Sequence, residues 1–372
     1  MSHARDEIEA LAETAGITID GDAPHDIRVH DDRFHRRVLR EGSLGLGESY
    51  VDGWWDADAV DETIRRILEA NLRERASRSL RTIGLSLLAR VLNLQRRRRA
   101  RDHVRDHYER GLDLFRAMLD ERVVYSCGYW RNARTLDEAQ EAKLDLVCRK
   151  AGLREGRTLL DIGCGWGGLV RYAAERYGVR ALGITVSPEQ AEVAGQACRD
   201  LPVEIRVQDY RDVTGSFDAV VSVGMFEHVG PKNYGTYMEA VDRCLAPRGV
   251  SVLHTIAGNR RTDHIDPWIH RHVFPGSNLP TLAQIAEVVA DRFVVEDVHN
   301  LGPDYDRTLM AWCRRFEAAW SDLQSRYDSR FRRLWRYYLL SCAGGFRARH
   351  LQVHQVVLTR RGTPRPHFVR AT

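Results

Sequence analysis

The apolar positions along this chain change period near residue 100. Before that point they recur at helical spacing. Val60, Ile64, Ile67, Leu68 and Leu72 fall on one helix face, and Leu85, Leu87, Leu88, Val91, Leu92 and Leu94 fill a second stretch over residues 83–94. Beyond it, two helical stretches (103–119 and 137–151) lead into short apolar runs separated by helix-length segments. The runs predict strands at Thr158–Ile162, Arg180–Thr185, Glu204–Gln208, Phe217–Val223, Val250–Ile256, Phe293–Val298 and Leu351–Leu358. Strands that alternate with helices build a parallel sheet covered on both faces. The last strand follows a long helical region (306–340), so the end of the sheet is expected to turn antiparallel. The expected fold is α/β, with a small, mainly helical N-terminal domain (1–95), a basic linker (96–105) and a larger domain (106–372).

Composition narrows the function classes. At 372 residues the chain exceeds one ordinary core. Its formal charge of +4 gives little footing for a nucleic-acid partner. The seven cysteines lack paired metal spacing, so no metal site is expected. Odd thiols, and a start (Met1 to Glu7) without an apolar signal region, point to a reducing cytoplasm. No run approaches the roughly 18 apolar residues of a spanning helix, so a lipid substrate would be met at the membrane surface. The run Arg96-Arg97-Arg98-Arg99 with Arg101 reads either as a solvated linker or as a contact for an anionic surface.

Candidate chemistry concentrates between Leu159 and Leu169. The segment Asp161-Ile162-Gly163-Cys164-Gly165-Trp166-Gly167 reads as a strand end, a glycine turn and a helix start. Such a turn lets a ligand lie on bare backbone, at the positive end of the helix that follows. It resembles the D-x-G-x-G turn of S-adenosylmethionine (SAM) methyltransferases, with Asp161 as its acid, although dinucleotide-binding turns share the logic. On that reading Gly163 and Gly165 back the methionine moiety, and Tyr125 and Ser126 close over it. Asp209 and Tyr210 would flank the adenine. No acid stands at the end of the second strand, which argues against an NAD enzyme and leaves Thr185 and Gln190 as the polar groups best placed there.

An ordered set of further segments points one way. It comprises Tyr125 to Trp130, Gln208 to Asp212, Gly224 to Gly230, Leu253 to Ile256, Asp304-Tyr305 and Ser341 to Arg347, preceded by Glu41 to Tyr50 and Asp52 to Trp55. Together these closely resemble the cyclopropane-fatty-acyl-phospholipid synthases, relatives of the mycolic acid cyclopropane synthases. The likeness runs nearly end to end, and its N-terminal part matches the phospholipid-acting members. One departure is Leu112, where the family commonly has asparagine ahead of its Y-S-C motif.

The resemblance implies a Rossmann-like class I SAM-dependent methyltransferase sheet. It also implies transfer of a methylene carbon from SAM to a cis double bond of a phospholipid acyl chain. The carbocation formed on the chain would be deprotonated by a bound bicarbonate. The matching cage residues are Cys127, Glu227, His254, Tyr305 and the backbone of Ile256. His254 and Tyr305 would donate to the ion and Glu227 would accept its O–H. Cys342 matches a pocket position, read as packing or gating. A homodimer, associated peripherally with the inner face of the cell membrane, completes the expectation. Plainer readings stay open: Glu227 as a helix cap, His254 as a satisfied core histidine, Tyr305 and the Asp209-Tyr210 pair as turn residues, and both cysteines as small hydrophobes. So do two rival functions: a methyltransferase leaving a methyl or methylene branch, and a non-catalytic lipid-surface protein.

Overall fold

A computed structural model describes residues 2–71, 111–262 and 265–364. The chain divides into two compact units. One holds the described parts of Met1–Leu92, Asp263–Pro275 and Tyr305–Leu351; the other holds those of Asn93–Thr262, Gly276–Asp304 and Gln352–Thr372.

The second unit carries a seven-stranded sheet in the order β5-β4-β3-β6-β7-β9-β8. Its strands are β3 (Thr158–Ile162), β4 (Arg180–Thr185), β5 (Val203–Val207), β6 (Phe217–Val223), β7 (Leu245–Gly258), β8 (Phe293–Asn300) and β9 (Leu351–Arg360). Strands β3 to β7 pair in parallel, and β8 pairs antiparallel with β9, as expected of the sheet's end. Alternate residues feed two cores. Leu160, Ile162, Leu253, Val356 and Leu358 enter one, and Leu159, Val250, Val252 and Val357 enter the other, so both faces are covered. The helix Leu136–Lys150 covers the second face through Leu144, Val147 and Cys148. It starts at a full capping box between Thr135 and Glu138.

By strand parity, Asp161 shares the face of Leu159, His254 and Ile256 that of Val252, and Gln355 that of Val357. One side of the sheet therefore carries most of the polar residues that matter below.

The first unit is helical. Ser2–Thr14, Arg33–Glu41, Ser43–Val51 and Val60–Glu69 are joined by Pro267–His272, Trp320–Leu323, Ser329–Arg347 and the larger part of Gly302–Ala318. A two-stranded ribbon pairs β1 (Arg28–Val29) with β2 (Trp55–Asp56). Here the motif glycines have a packing role. A Cβ on Gly344 would sit 2.4 Å from the Asp61 carbonyl oxygen, so this glycine lets Ser329–Arg347 cross close to Val60–Glu69. Gly47 lies flat against the Trp268 ring in the same way, and the neighbouring Glu48 carboxylate is held by His272 at 2.7 Å.

The helical unit is thus not contiguous in sequence: residues 265–275 and 305–351 join the N-terminal helices. The physical reason is that helices without strands between them bury their apolar stripes against other helices. The expected linker with its arginine run, the helix over 83–94 and the start of the one over 103–119 lie outside the described residues. Among the described residues, no helix is long and apolar enough to cross a membrane.

Candidate active site

Strand β3 ends at Ile162, one residue past Asp161, and the chain then turns through Gly163, Gly165 and Gly167, with φ of +86°, +54° and +84°. The N–H groups of Gly163 and Cys164 both donate to the Ile184 carbonyl, which pins the turn to β4. Gly163 tolerates no side chain, because a Cβ there would come within 2.7 Å of the Met225 side chain. Beside Gly165 the space is open: a Cβ would meet no heavy atom within 4 Å among the described residues. The turn thus offers bare backbone, as a ligand-cradling role requires.

Below the turn lies a charged layer. Asp161 is buried, its Oδ1 has no hydrogen-bond partner among the described residues, and burial pushes its carboxyl up to about 7 against the pull of Lys143. Lys143 is itself buried, and burial lowers its ammonium to about 8 despite Asp120, Cys127 and Asp161. Its Nζ donates to Ser126 Oγ at 3.0 Å, while Gln140 Nε2 donates to the Ser126 carbonyl at 2.7 Å. The loop that carries Ser126 is therefore fastened from beneath by two side chains of one helix. Tyr125 packs edge-on against Phe115, which in turn meets Trp166 of the glycine turn at 4.6 Å. An unpartnered buried carboxylate beneath bare backbone suits a cationic ligand, and SAM is one.

Thr185 and Gln190 are brought together at the end of β4. The Thr185 hydroxyl donates to Gln190 Oε1 at 2.8 Å and accepts from the Ser187 N–H at 3.2 Å. Asp209 serves its own turn: Oδ1 accepts from the Arg211 N–H at 3.0 Å, and Oδ2 pairs with the Arg211 guanidinium at 3.2 Å. Tyr210 packs edge-on against Tyr237.

The other cluster grows from β7. Gly224, just after β6, donates to the His254 carbonyl, so the loop carrying Glu227 starts beside His254. Glu227 is buried. Its Oε1 accepts from the Ile256 N–H at 2.6 Å, while Oε2 has no partner among the described residues. Burial pushes this carboxyl up to about 7, opposed by the Ile256 amide and the Thr255 hydroxyl. His254 sits two residues earlier on the same face. Burial holds its imidazole well below the usual histidine range, and Lys143, Lys150 and His299 push the same way, so the ring is neutral. Gln355 Nε2 faces His254 Nδ1 at 3.1 Å from β9.

Cys127 joins through backbone: its thiol donates to the Gly128 carbonyl at 3.2 Å and to that of Leu301 at 3.6 Å, and the Leu301 N–H bonds to Val353, two residues from Gln355. Short bonded links therefore connect Cys127, His254, Ile256 and Glu227 within one unit. Two expected cage members are already engaged, since the Ile256 amide anchors Glu227 and the Cys127 thiol is turned to carbonyls.

Tyr305 and Cys342 belong to the helical unit. Tyr305 lies in the first turn of Gly302–Ala318, earlier than the helix expected from residue 306, and packs on Phe346 and Trp312. Burial, with Asp266, pushes the Cys342 thiol up to about 12, and a protonated thiol is no nucleophile.

Lys143 and Gln355 are the residues that sequence reading missed. Both had a signal. Lys143 interrupts the apolar stripe of Ala139, Leu144 and Val147, and Gln355 interrupts the apolar run Val353 to Leu358. A polar residue on a buried stripe must answer to something polar.

The family model described as mycolic acid cyclopropane synthetase matches residues 95–356. The chain is 50% identical, over 351 residues, to the cyclopropane-fatty-acyl-phospholipid synthase of Escherichia coli K12, covering 94% of this chain and 92% of that one. It is 33% identical to the tuberculostearic acid methyltransferase UfaA1 of Mycobacterium tuberculosis, covering 94% and 87%. Among solved structures it is similar to the mycolic acid cyclopropane synthase CmaA1 complexed with SAH and CTAB, with a TM-score of 0.65 and 32% identity over 69% of this chain and 97% of that one.

Proposed function

Since the chain belongs to the mycolic acid cyclopropane synthetase family and has the class I SAM-methyltransferase fold of an enzyme, we propose that it converts a cis double bond of a phospholipid acyl chain into a cyclopropane ring. The observation that carries the reading is the Glu227 carboxylate. It is buried, anchored by one oxygen to Ile256 of the strand that presents a neutral His254, and its other oxygen has no partner among the described residues.

Bound at the glycine turn, SAM supplies an electrophilic methyl. The Gly163 to Gly167 backbone and the Asp161 carboxylate hold that cation, and Tyr125 and Ser126 close the loop over it. Thr185, Gln190, Asp209 and Tyr210 fall to its ribose and adenine. An alkene is a weak nucleophile, so the protein's contribution is alignment and the exclusion of water. The olefin's π pair forms the new carbon–carbon bond as the carbon–sulfur bond breaks. The cation left on the acyl chain then gives up a proton of the new methyl, and the electrons of that C–H bond close the ring.

We assign the proton's acceptor to a bicarbonate ion. Glu227 Oε2 accepts its O–H and His254 donates to its oxygen, while Ile256 and Cys127 hold the surrounding frame. The negative charge of the ion and of Glu227 steadies the cation. The resemblance gives Tyr305 a donor role and Cys342 a packing one. The substrate is met at the inner membrane surface by a homodimer.

Labelled SAM incubated with vesicles of unsaturated phospholipid tests the reading. The expected product carries the high-field proton signals of a cyclopropane, and turnover falls in strictly carbonate-free buffer and returns when bicarbonate is added. A methyl or methylene branch without ring protons would overturn ring closure. No heat of SAM binding would favour a non-catalytic lipid-surface protein. A carbonate-independent rate would remove an exchangeable ion from the mechanism.

A further inference from the structure

We propose that Gln355 is a positioning residue that fixes the tautomer of His254, placing the ring's single proton on Nε2. The inference deepens the reading above, in which His254 donates to a bound oxyanion, and its role in turnover rests on that reading.

A neutral imidazole has one N–H to place on either of two nitrogens. In water the choice is loose. In a buried site it is set by the hydrogen bond that the other nitrogen makes. His254 is 2% exposed and Gln355 is fully buried, and the amide Nε2 of Gln355 lies 3.1 Å from His254 Nδ1. An amide N–H can only donate. Directed at Nδ1, it requires a lone pair there, and the proton must then sit on Nε2. With the amide so oriented, the opposite tautomer would set two buried N–H groups against each other.

Among the described residues Gln355 Oε1 has no partner, so the contact with His254 is the hydrogen bond that its amide makes. Gln355 stands in β9 between Val353 and Val357, on a core face, where an apolar side chain would bury without the cost of an amide. Around the ring, Lys143, Lys150 and His299 are the groups whose charge bears on His254. Lys150 is paired with Asp297 at 3.1 Å. Burial first, and these groups after it, keep the imidazole unprotonated, so it serves as a neutral donor. Gln355 then decides which nitrogen donates. With Nδ1 occupied, Nε2–H is the hydrogen available to a small oxyanion.

Two variants separate the possibilities. Gln355→Glu keeps size and reverses the polarity facing Nδ1, and Gln355→Met keeps size and removes the donor. Nitrogen-15 NMR of histidine-labelled protein, with His254→Phe used to assign the signal, reads the tautomer directly and needs neither lipid nor bicarbonate. The wild type is expected to show a protonated Nε2 and a bare Nδ1. Gln355→Glu is expected to move the proton to Nδ1 and to lower kcat by about 10²-fold, the scale of losing one oxyanion donor. SAM affinity should stay within about twofold, and Gln355→Met should fall between. A wild-type ring protonated at Nδ1 overturns the inference, as does Gln355→Glu with an unchanged ring and unchanged kcat. A wild-type Nε2–H ring together with full turnover by His254→Phe would instead overturn the donor role, while the tautomer assignment stood.

Discussion

Glu227→Gln is expected to give a protein that is more stable than the wild type above pH 7 and nearly inactive. The buried carboxyl stands at about 7 in the folded chain, against an ordinary value of 4.5. Its folded pKa is therefore raised, and the folded state binds a proton more tightly than the unfolded one. Below pH 4.5 both states are protonated and the group costs nothing. As pH rises from 4.5 to 7 the unfolded chain ionises first and stability is lost, reaching about 3 kcal/mol by pH 8. Glutamine keeps an oxygen for the Ile256 N–H and carries no charge to desolvate. The difference in Tm should be near zero at pH 4.5 and about 5 °C at pH 8.

Turnover should fall by about 10²–10³-fold, because an amide N–H replaces the oxygen that accepts the hydrogen bond of the ion's O–H. SAM affinity should hold within about twofold, since the group serves the oxyanion rather than the cofactor turn. Calorimetry across this pH range, paired with vesicle turnover at pH 8, checks both halves. Wild-type turnover in this variant would remove Glu227 from the chemistry, and a lower Tm at pH 8 would show that the carboxylate is stabilised by something the structure does not reveal.

The strands of the α/β sheet were readable because their period was plain. β3, β4 and β6 begin and end where the short apolar runs between helix-length segments place them. β7 runs further back than its apolar run, through Ala246-Pro247-Arg248-Gly249, with a register shift against β6. Proline and glycine read as strand breakers, and only the neighbouring strand shows that pairing continues past them. The helical unit was harder. Residues 265–275 and 305–351 lie next to sheet strands in sequence, and nothing local marks them as partners of the N-terminal helices.

The site split in the same way. The glycine turn announces itself, since three positive φ angles need glycine whatever surrounds them. Thr185 with Gln190 was legible as a polar pair at a strand end, although not their bond to each other. The task of Ile256 was not legible: its N–H anchors the Glu227 carboxylate, and backbone donors leave no trace in side-chain identity. Lys143 and Gln355 carry polar groups into apolar stripes, a signal that is visible only when every interruption of a stripe is questioned.

Asp161→Asn is expected to weaken SAM binding by about one to two orders of magnitude and to abolish its dependence on acid. Asp161 lies beneath the turn at a carboxyl value of about 7, raised by burial and restrained by Lys143. A cationic ligand placed over it favours the ionised form, so the carboxyl must fall on binding, and by linkage the affinity must rise with pH until the free protein is fully ionised. Between pH 5.5 and 7.5 wild-type affinity should climb by about tenfold or more, one pKa unit of coupling per decade. Above about 8 the buried Lys143 begins to lose its proton, which weakens its bond to Ser126 from a charge-assisted to a neutral one.

Asparagine keeps the shape and one oxygen but lacks the charge, so the lower limb should be flat. It also removes one of the anions that raise the Lys143 ammonium, leaving Asp120, so Lys143 should lose its proton at lower pH. Titration calorimetry of SAM against SAH separates charge from shape, because SAH has the same contacts without the sulfonium. The variant should lose its preference for SAM far more than its affinity for SAH. Equal losses for the two ligands, or an unchanged acid limb, would mean that the carboxylate only supports the turn, and the electrostatic role assigned to it would fall.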